Sequence, residues 1–204
     1  GHCRDEGVYE DQEYRRLIGE TTGTEGYYAA HDALQPPILE HVWPYGMRGK
    51  RVADIGCAAG SFLDHLAGLV EYAVAIDPCR DYHASLSERG YKVFPYAADA
   101  AGEYAGQLDW VFSLSVIEHA KNPREFLHQA ARLLKPDGRL MISTPNSRDL
   151  LIDLLPDEYR PFFYRAVHRW YFDATSLAVC AERSGLRVVN TKLCQRFGLS
   201  NALH

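Results

Sequence analysis

The chain has 204 residues, of which 47% are hydrophobic and 24% are charged, a composition typical of a globular protein. Its formal net charge of -5 and pI of about 6.0 argue against sequence-independent binding to nucleic acid, which requires clustered lysine and arginine. No window approaches the roughly 20 apolar residues of a membrane span, and no signal-like run follows the N-terminus, so we expect no membrane partner.

The cysteine usage indicates a reducing environment. The five cysteines are odd in number and show neither a C-x-x-C pair nor metal-like spacing. A cytoplasmic setting is therefore the simplest expectation. The length fits one α/β domain, and nothing in the chain requires two.

The first 45 residues are predicted to form helices outside the sheet. Residues 5–18 and 29–43 have helical patterns, and the intervening TTGTEG reads as a flexible hinge. Pro36 and Pro37 should bend or split the second helix. We expect an N-terminal helical cap over residues 1–45 and a core over residues 46–204, together in a single domain.

The most informative motif is VADIGCAAGS, residues 52–61, which reads as a buried strand, a glycine turn and a helix start. Gly56 and Gly60 allow the backbone to approach a ligand closely. The amide groups at the helix start, Ser61, would face whatever binds the loop. This pattern predicts a nucleotide-type ligand at the carboxyl end of an open parallel sheet, while a turn without a ligand is the alternative.

The glycine spacing distinguishes two classes of cofactor. A dinucleotide loop reads G-x-G-x-x-G, and its last two glycine positions here hold Ala58 and Ser61. The chain has D-x-G-x-x-x-G instead, from Asp54 through Gly56 to Gly60. This spacing resembles motif I of the class I S-adenosylmethionine-dependent methyltransferases, whose cofactor carries an ammonium and a carboxylate. Asp54 suits the ammonium, and the helix dipole suits the carboxylate.

A second acid follows the second predicted strand. Residues 72–76 read as an apolar strand that ends in Asp77 and Pro78. An acid at this place can accept hydrogen bonds from both hydroxyls of a ribose, whereas a helix N-cap is the alternative. Residues 80–89 are predicted to form a helix, and residues 91–96 a third strand.

Asp99 and Ala100 follow that third strand. The resemblance implies that an acidic or polar residue here binds the adenine amino group and that the next backbone amide reaches the ring. Solvation of a loop is the alternative for Asp99. Residues 108–114 predict a fourth strand, and its last residues, Ser113 and Leu114, are expected cofactor contacts.

The segment SLSVIEHAKNP, residues 113–123, strengthens the resemblance. It is similar to the segment after strand four in a broad group of methyltransferases that includes ubiquinone-biosynthesis O-methyltransferases and many sugar or natural-product methyltransferases. The helix start also follows from the residues themselves. Asn122 is a predicted N-cap, Pro123 takes the first helical position, and Glu125 lies three residues after the cap.

Later segments complete the predicted sheet. Residues 135–138 read as a turn, and residues 139–144 as a fifth strand. The aromatic and charged stretch of residues 147–169 is expected to form part of the substrate wall. A sixth strand is predicted over residues 186–193. The seventh, antiparallel strand of a complete class I sheet has only QRFGLSNALH left to form it, so we expect truncation or another source for it.

Adjacent Glu118 and His119 raise the question of a metal, since carboxylate and imidazole can bind a divalent cation. Some relatives use an E-x-x-E-H arrangement here, but Ser115 stands where the first glutamate would be. His168 would be a third ligand. We favour a structural role, in which Glu118 and His119 bond to backbone at a strand-to-helix corner, and therefore predict no required metal.

Methyl transfer to a hydroxyl needs close approach and benefits from a general base. His168 is the first candidate for that base and His119 the second, because imidazole titrates near neutral pH. A cap or core contact near Trp170 is the alternative for His168. In relatives, side chains from the N-terminal helices enter the acceptor pocket. The candidates here are Tyr9, Tyr14, Tyr27, Tyr28 and His31.

Together these features predict an α/β, Rossmann-like open sheet, mostly parallel, of six to seven strands with helices on both faces. The resemblance implies a methyltransferase that uses S-adenosylmethionine, releases S-adenosylhomocysteine and methylates a small-molecule acceptor, with a hydroxyl oxygen as the first expectation. A catalytically silent S-adenosylmethionine-binding regulatory or partner protein and a nicotinamide-dependent oxidoreductase are the alternatives. A homodimer is left open. The expected cofactor contacts are Asp54, Gly56, Cys57, Gly60, Asp77, Pro78, Asp99, Ala100, Ser113 and Leu114.

Overall fold

The structure is a computed structural model that describes residues 9–11, 15–16, 19 and 22–194. The chain divides into two compact units. The first comprises Gly1–Leu114 and Gln129–Ile142, and the second comprises Ser115–His128 and Ser143–His204. The expected division between a cap and a core at residue 45 is a different partition and stays a prediction.

The first unit is built around a sheet with the strand order β3-β2-β1-β4-β5. Strand β1 pairs in parallel with β2 and with β4, and β2 pairs in parallel with β3. Four consecutive residues of β1, Val52 to Ile55, are buried, so both faces of this strand are covered. The strands are β1 Arg51–Ile55, β2 Tyr72–Ile76, β3 Lys92–Phe94, β4 Leu108–Leu114 and β5 Leu134–Ser143.

Between residues 22 and 114, five α-helices accompany these strands. They are α1 Gly23–His31, α2 Gln35–Val42, α3 Ser61–Leu66, α4 His83–Glu88 and α5 Ala97–Tyr104. Helix α3 packs on the sheet through a continuous apolar face, and its Phe62 ring meets the Phe112 ring of β4 at a centroid distance of 4.9 Å. Leu63 and Leu66 are fully buried. Burial of each such side chain contributes about 1.5 to 3 kcal/mol.

The strand predictions hold for β2 and β4 to the residue, and the structure corrects the fifth strand. Strand β5 begins at Leu134, so residues 135–138 are extended instead of forming a turn. The reason is close packing at Gly138, where a Cβ atom would lie 2.9 Å from the carbonyl oxygen of Leu108. Glycine therefore lets the chain run beside the start of β4.

The N-terminal prediction is partly corrected. The expected hinge TTGTEG is wrong from Gly23 onward, because α1 begins there and its Tyr27 and Tyr28 pack against the core of the unit. The predicted break in the second helix is confirmed. A 3-10 turn, Asp32–Leu34, separates α1 from α2, and the two prolines occupy the first turn of α2. Most of the helix expected over residues 5–18 lies outside the described residues.

The second unit is helical in the part that the structure describes. Helix α6, Pro123–Leu133, begins in this unit, and the Asn122 carboxamide accepts hydrogen bonds from the Arg124 and Glu125 N–H groups, so the predicted cap is confirmed. The remaining helices are α7 Leu151–Leu154, α8 Pro156–Phe163 and α9 Ala174–Arg183. Leu151, Ile152, Tyr159 and Phe163 form a small apolar core.

The prediction of six to seven strands is not met within residues 22–194, which contain five. Residues 186–194 form no strand, and Val189 and Leu193 are 59% and 73% exposed. A strand needs a neighbour that exchanges backbone hydrogen bonds with it, and no described segment pairs with residues 186–194. Among the described helices, none combines the length and the apolar character needed to cross a bilayer.

Candidate functional site

The glycine loop, residues 56–60, joins β1 to α3 in an unusual backbone conformation. Ala58 has φ +48°, a left-handed value that is costly for a residue with a side chain. Gly60 has φ +88°, and a Cβ atom there would lie 2.6 Å from Leu86 Cδ2. Its N–H donates to the Cys57 carbonyl oxygen at 2.8 Å. The positive φ and the close packing against Leu86 therefore each favour glycine at position 60.

Asp77, at the end of β2, holds this loop. Its Oδ2 accepts a hydrogen bond from the Ala58 N–H at 2.7 Å, and its Oδ1 accepts one from the Cys79 N–H at 2.8 Å. Asp77 is buried, and burial raises the pKa of its carboxyl group. A carboxylate has about four lone-pair sites, so two remain for a ligand. Sequence reasoning predicted the ribose role for Asp77 and missed this support of the loop.

Asp54, at the end of β1, is the second buried acid of the site. It is 3% exposed, and its Oδ1 has no hydrogen-bond partner among the described residues. Burial and the nearby charge of Asp77 raise the pKa of Asp54 well above its usual range. Buried carboxylates without a cation are costly, so this pair favours a ligand that brings positive charge and hydroxyl donors. An amino-acid ammonium and a ribose meet that requirement.

The other expected contacts in the loop region surround these acids. Cys57 is buried, and burial is the main cause of the raised pKa of its thiol, which keeps it neutral. Pro78 is half-buried beside Asp77. Ser113 is fully buried and its Oγ has no partner in the described chain. The strand register pairs Asp54 with Phe112, so Ser113 follows at the carboxyl end of the neighbouring strand. Leu114 is half-buried and ends β4.

Asp99 and Ala100 lie in the first turn of α5, not in an open loop. The N–H groups of both residues donate to the Tyr96 carbonyl oxygen, at 3.1 and 3.2 Å. Asp99 is exposed, and an acid in the first turn of a helix interacts favourably with the helix dipole. Their predicted contacts with adenine stay predictions.

Helix α1 brings aromatic side chains to the glycine loop. The Tyr27 ring stacks on His31 at 4.5 Å, and the guanidinium of Arg15 lies 4.6 Å from the Tyr27 ring centroid. Burial and the charge of Asp54 raise the pKa of the Tyr27 hydroxyl. Tyr28 hydrogen-bonds to Asp64 of α3. Tyr9 is half-buried, and Tyr14 lies outside the described residues.

A second group of polar side chains, the Glu–His cluster of Glu118, His119 and His168, lies in the second unit. The ligand-type atoms of these residues are all within 4.8 Å of one another, and the two imidazole rings meet edge to face at 4.8 Å. Glu118 is 1% exposed and accepts a hydrogen bond from Thr144 Oγ1 at 3.0 Å. His119 Nδ1 lies 3.2 Å from the Val167 carbonyl oxygen, a contact of the corner type expected from sequence.

Burial shifts all three members of this cluster toward their neutral forms. It raises the pKa of Glu118 to about 7 and lowers the pKa of His168 to about 4. The pKa of His119 is also lowered by burial. His168 Nδ1 is buried without a partner among the described residues. Chemically the cluster can accept a proton or hold a divalent cation. That no metal is required stays a prediction.

Comparisons with known proteins agree with the interpretation of the glycine loop as a methyltransferase motif. The family model for the methyltransferase domain matches residues 28–191. A ubiquinone biosynthesis O-methyltransferase of Erwinia tasmaniensis is 29% identical over 146 residues, which cover 66% of this chain and 60% of that protein. A tRNA U34 carboxymethyltransferase of Pseudoalteromonas translucida is 27% identical over 172 residues, which cover 77% of this chain and 50% of that protein.

Among solved structures, magnesium protoporphyrin IX methyltransferase from Synechocystis, with bound S-adenosylhomocysteine, superposes with a TM-score of 0.63. It is 17% identical and matches 89% of this chain and 86% of that one, a likeness that shows the fold. The chain spans 50 to 60% of the length of the two curated relatives described above. The match over residues 28–191 establishes that the chain belongs to the methyltransferase domain family, within the class I S-adenosylmethionine-dependent methyltransferases.

Proposed function

We propose that the protein transfers a methyl group from S-adenosylmethionine to a hydroxyl oxygen of a small molecule. The observation that carries the proposal is the pair of buried carboxylates, Asp54 and Asp77, at the ends of two adjacent parallel strands. They flank the glycine loop, and the Oδ1 atom of Asp54 has no partner among the described residues. This pair of acceptor groups suits an ammonium and a ribose, which donate hydrogen bonds, better than a pyrophosphate, which buried carboxylates would repel.

In the proposal a small set of residues of the first unit binds the cofactor. Asp54 accepts from the ammonium of the methionine part, and the two free lone-pair sites of Asp77 accept from the ribose hydroxyls. The N–H groups at the start of α3 face the carboxylate. Asp99, Ala100, Ser113 and Leu114 are the proposed contacts to adenine. When bound, the cofactor supplies a methyl group on a positively charged sulfur.

The acceptor is proposed from chemistry and from the relatives. The Erwinia relative is named as an O-methyltransferase, which supports a hydroxyl acceptor. Removal of the hydroxyl proton is assigned to His168 or His119, because a lowered pKa leaves an imidazole unprotonated at neutral pH. The same lowered pKa makes either histidine a weak base, so orientation of the hydroxyl is the larger part of its proposed contribution.

The absence of a nucleic-acid substrate, the number of strands, the location and the oligomeric state also stay proposals. The Pseudoalteromonas relative is named for a tRNA substrate, whereas the net charge of -5 of this chain weighs against nucleic acid. The complete sheet is proposed to have six to seven strands. A cytoplasmic location and a homodimer are predictions from sequence.

The test of the proposed reaction measures S-adenosylhomocysteine release with a panel of catechols, hydroxylated quinone precursors and sugars. We expect acceptor-dependent product with at least one hydroxyl compound and none with its methyl ether. Tight cofactor binding without product over the whole panel would support the catalytically silent alternative. Thermal protection by NADH but not by S-adenosylmethionine would support the oxidoreductase alternative.

A further inference from the structure

Four side chains of the first unit meet beside the glycine loop and form a cluster that we name the loop brace. Its members are Tyr28, Asp64, Arg89 and Tyr91. They come from four places in the chain: α1, α3, the residue after α4 and the residue before β3. None of them belongs to the set expected to touch the cofactor.

The brace is centred on the carboxylate of Asp64. Arg89 Nη1 donates to Asp64 Oδ2 at 2.6 Å, and the Tyr91 hydroxyl donates to Asp64 Oδ1 at 2.6 Å. The Tyr28 hydroxyl donates to Oδ2 and accepts from Arg89 Nη1 at 2.5 Å. Charge-assisted hydrogen bonds of this kind are stronger than neutral ones and fix the planar guanidinium.

Arg89 also reaches the glycine loop directly. Its Nη2 donates to the Ala59 carbonyl oxygen at 2.5 Å, and the Tyr28 hydroxyl lies 3.4 Å from the same oxygen. Ala59 is fully buried between Ala58, with its positive φ, and Gly60. The guanidinium therefore holds the loop on one side while Asp77 holds the Ala58 N–H on the other.

A left-handed alanine persists only when its surroundings determine the backbone on several sides. Besides the backbone hydrogen bonds of Gly56, Cys57 and Gly60, two side-chain contacts restrain the loop, a carboxylate on the Ala58 N–H and a guanidinium on the Ala59 carbonyl oxygen. Loss of either would let the peptide groups between residues 57 and 60 rotate away from the conformation that presents them to a ligand. Pre-organisation of this kind lowers the cost of binding.

We propose that Arg89 is a positioning residue that sets the glycine loop for S-adenosylmethionine, with Tyr28 linking that setting to helix α1. The inference rests on the proposed function, in which this loop binds the cofactor. It assigns Arg89 no contact with the cofactor itself. Its effect is therefore on cofactor affinity through the loop.

The chain offers a matched control in Arg51. The Arg51 guanidinium pairs with Glu71 at 3.0 Å and lies 5.8 Å from the Tyr72 ring, much as Arg89 pairs with Asp64 and lies 5.8 Å from the Tyr28 ring. Within residues 22–194 the Arg51 side chain contacts Glu71 and Tyr72, neither of which belongs to the glycine loop. Loss of Arg51 thus removes an ion pair and a ring contact without touching the loop.

The experiment measures the dissociation constant of S-adenosylmethionine by calorimetry and the Tm for Arg89→Gln, Arg89→Lys and Arg51→Gln. We expect Arg89→Gln to raise Kd about tenfold or more, since a charge-assisted bond to the loop is lost. Arg89→Lys keeps the positive charge but lacks the planar fork that bonds Asp64 and Ala59 at the same time, so it should give an intermediate Kd. Arg51→Gln should leave Kd within about twofold.

A merely structural role would lower the Tm of the Arg89 variants and leave Kd unchanged, and that result would overturn the inference. If Arg89→Gln does not fold, Arg89→Lys and Tyr28→Phe carry the test, and a wild-type Kd in both would overturn it equally. Wild-type protein that binds no S-adenosylmethionine would instead overturn the proposed function. The two failures are therefore distinguishable.

Discussion

The carboxylate of Asp77 accepts a hydrogen bond from the backbone N–H of Ala58 at 2.7 Å, so the end of β2 fixes the loop that follows β1. This contact explains how a non-glycine residue holds φ +48° in the middle of the loop. Asp77 therefore has a structural role in the loop in addition to its proposed role in binding the ribose. Changes at Asp77 should affect both folding and cofactor binding.

Asp77→Asn should destabilise the protein and weaken cofactor binding together. The amide keeps one acceptor oxygen but turns an NH2 group toward the second backbone N–H, which costs about 1 to 3 kcal/mol of unfolding free energy. We expect the Kd of S-adenosylmethionine to rise about tenfold or more. Urea denaturation and calorimetry measure the two effects.

Asp109→Asn is the control for this change. Asp109 also accepts from a backbone N–H, that of Arg51 at 2.9 Å, and pairs with Lys135 at 2.7 Å, but it lies at the start of β4. Its replacement should lower stability without changing Kd. Equal loss of affinity in both variants would show that affinity follows stability and not the site.

Gly60→Ala should be more damaging than Gly68→Ala. Both glycines have positive φ, but a Cβ at Gly60 would meet Leu86 at 2.6 Å, whereas none of the described residues lies within 4 Å of a Cβ at Gly68. Gly68→Ala should cost about 1 kcal/mol for the backbone strain alone. Gly60→Ala should cost about 2 to 4 kcal/mol, because overpacking adds to it. Similar urea midpoints for the two variants would contradict this.

The stability of the protein should respond to pH through Glu118. Burial places its pKa in the folded protein at about 7, above the ordinary value of 4.5. The folded state therefore binds this proton more tightly, and the stability it contributes below pH 4.5 is lost as the pH rises to 7. Glu118→Gln, which keeps an acceptor for Thr144, should gain up to about 3 kcal/mol over wild type across that window.

The pH dependence of stability that arises from His168 is opposite in sign to that from Glu118, which makes the test specific. The pKa of His168 falls from 6.5 to about 4, so its contribution is present above pH 6.5 and lost as the pH falls toward 4. In wild type the two effects oppose each other between pH 4.5 and 6.5. Urea unfolding as a function of pH should show a steeper loss on acidification in Glu118→Gln. Parallel curves for variant and wild type would refute the assignment.

Removal of divalent cations should leave activity unchanged. The carboxyl group of Glu118 accepts a hydrogen bond from Thr144, and burial raises its pKa to about 7, which favours the neutral form over a cation-binding carboxylate. Activity after dialysis against EDTA should equal that of the untreated enzyme. Loss of activity that Mg²⁺ or Zn²⁺ restores would show that the Glu–His cluster, or another site, holds a required metal.

Sequence patterns predicted the parts of the fold that local chemistry decides. Strands β2 and β4 and the cap at Asn122 follow from apolar runs and from a side chain that bonds to nearby backbone. The hinge predicted over residues 21–26 is wrong from Gly23 onward, because packing of Tyr27 and Tyr28 outweighs the conformational freedom of the glycines. The sixth strand was expected from its composition, but a strand also needs a partner, which composition does not report.

The candidate site is likewise predictable from the sequence only in part. Asp54 and Asp77 were identified because their places after short apolar strands are visible in the sequence. The loop brace was not, because Tyr28, in α1, and Arg89, in the turn after α4, each lie about 30 residues from the loop in sequence and are residue types common at protein surfaces. The pKa of Glu118 also depends on burial, which a glutamate next to a histidine does not reveal.

The most direct test of the central claim is calorimetric titration of the protein with S-adenosylmethionine, beside Asp54→Asn and with NADH as the competing ligand. We expect one-site binding of S-adenosylmethionine to the wild type, a Kd about tenfold or more higher in Asp54→Asn, and no binding of NADH. Binding of NADH, or equal affinity of wild type and Asp54→Asn for S-adenosylmethionine, would contradict it.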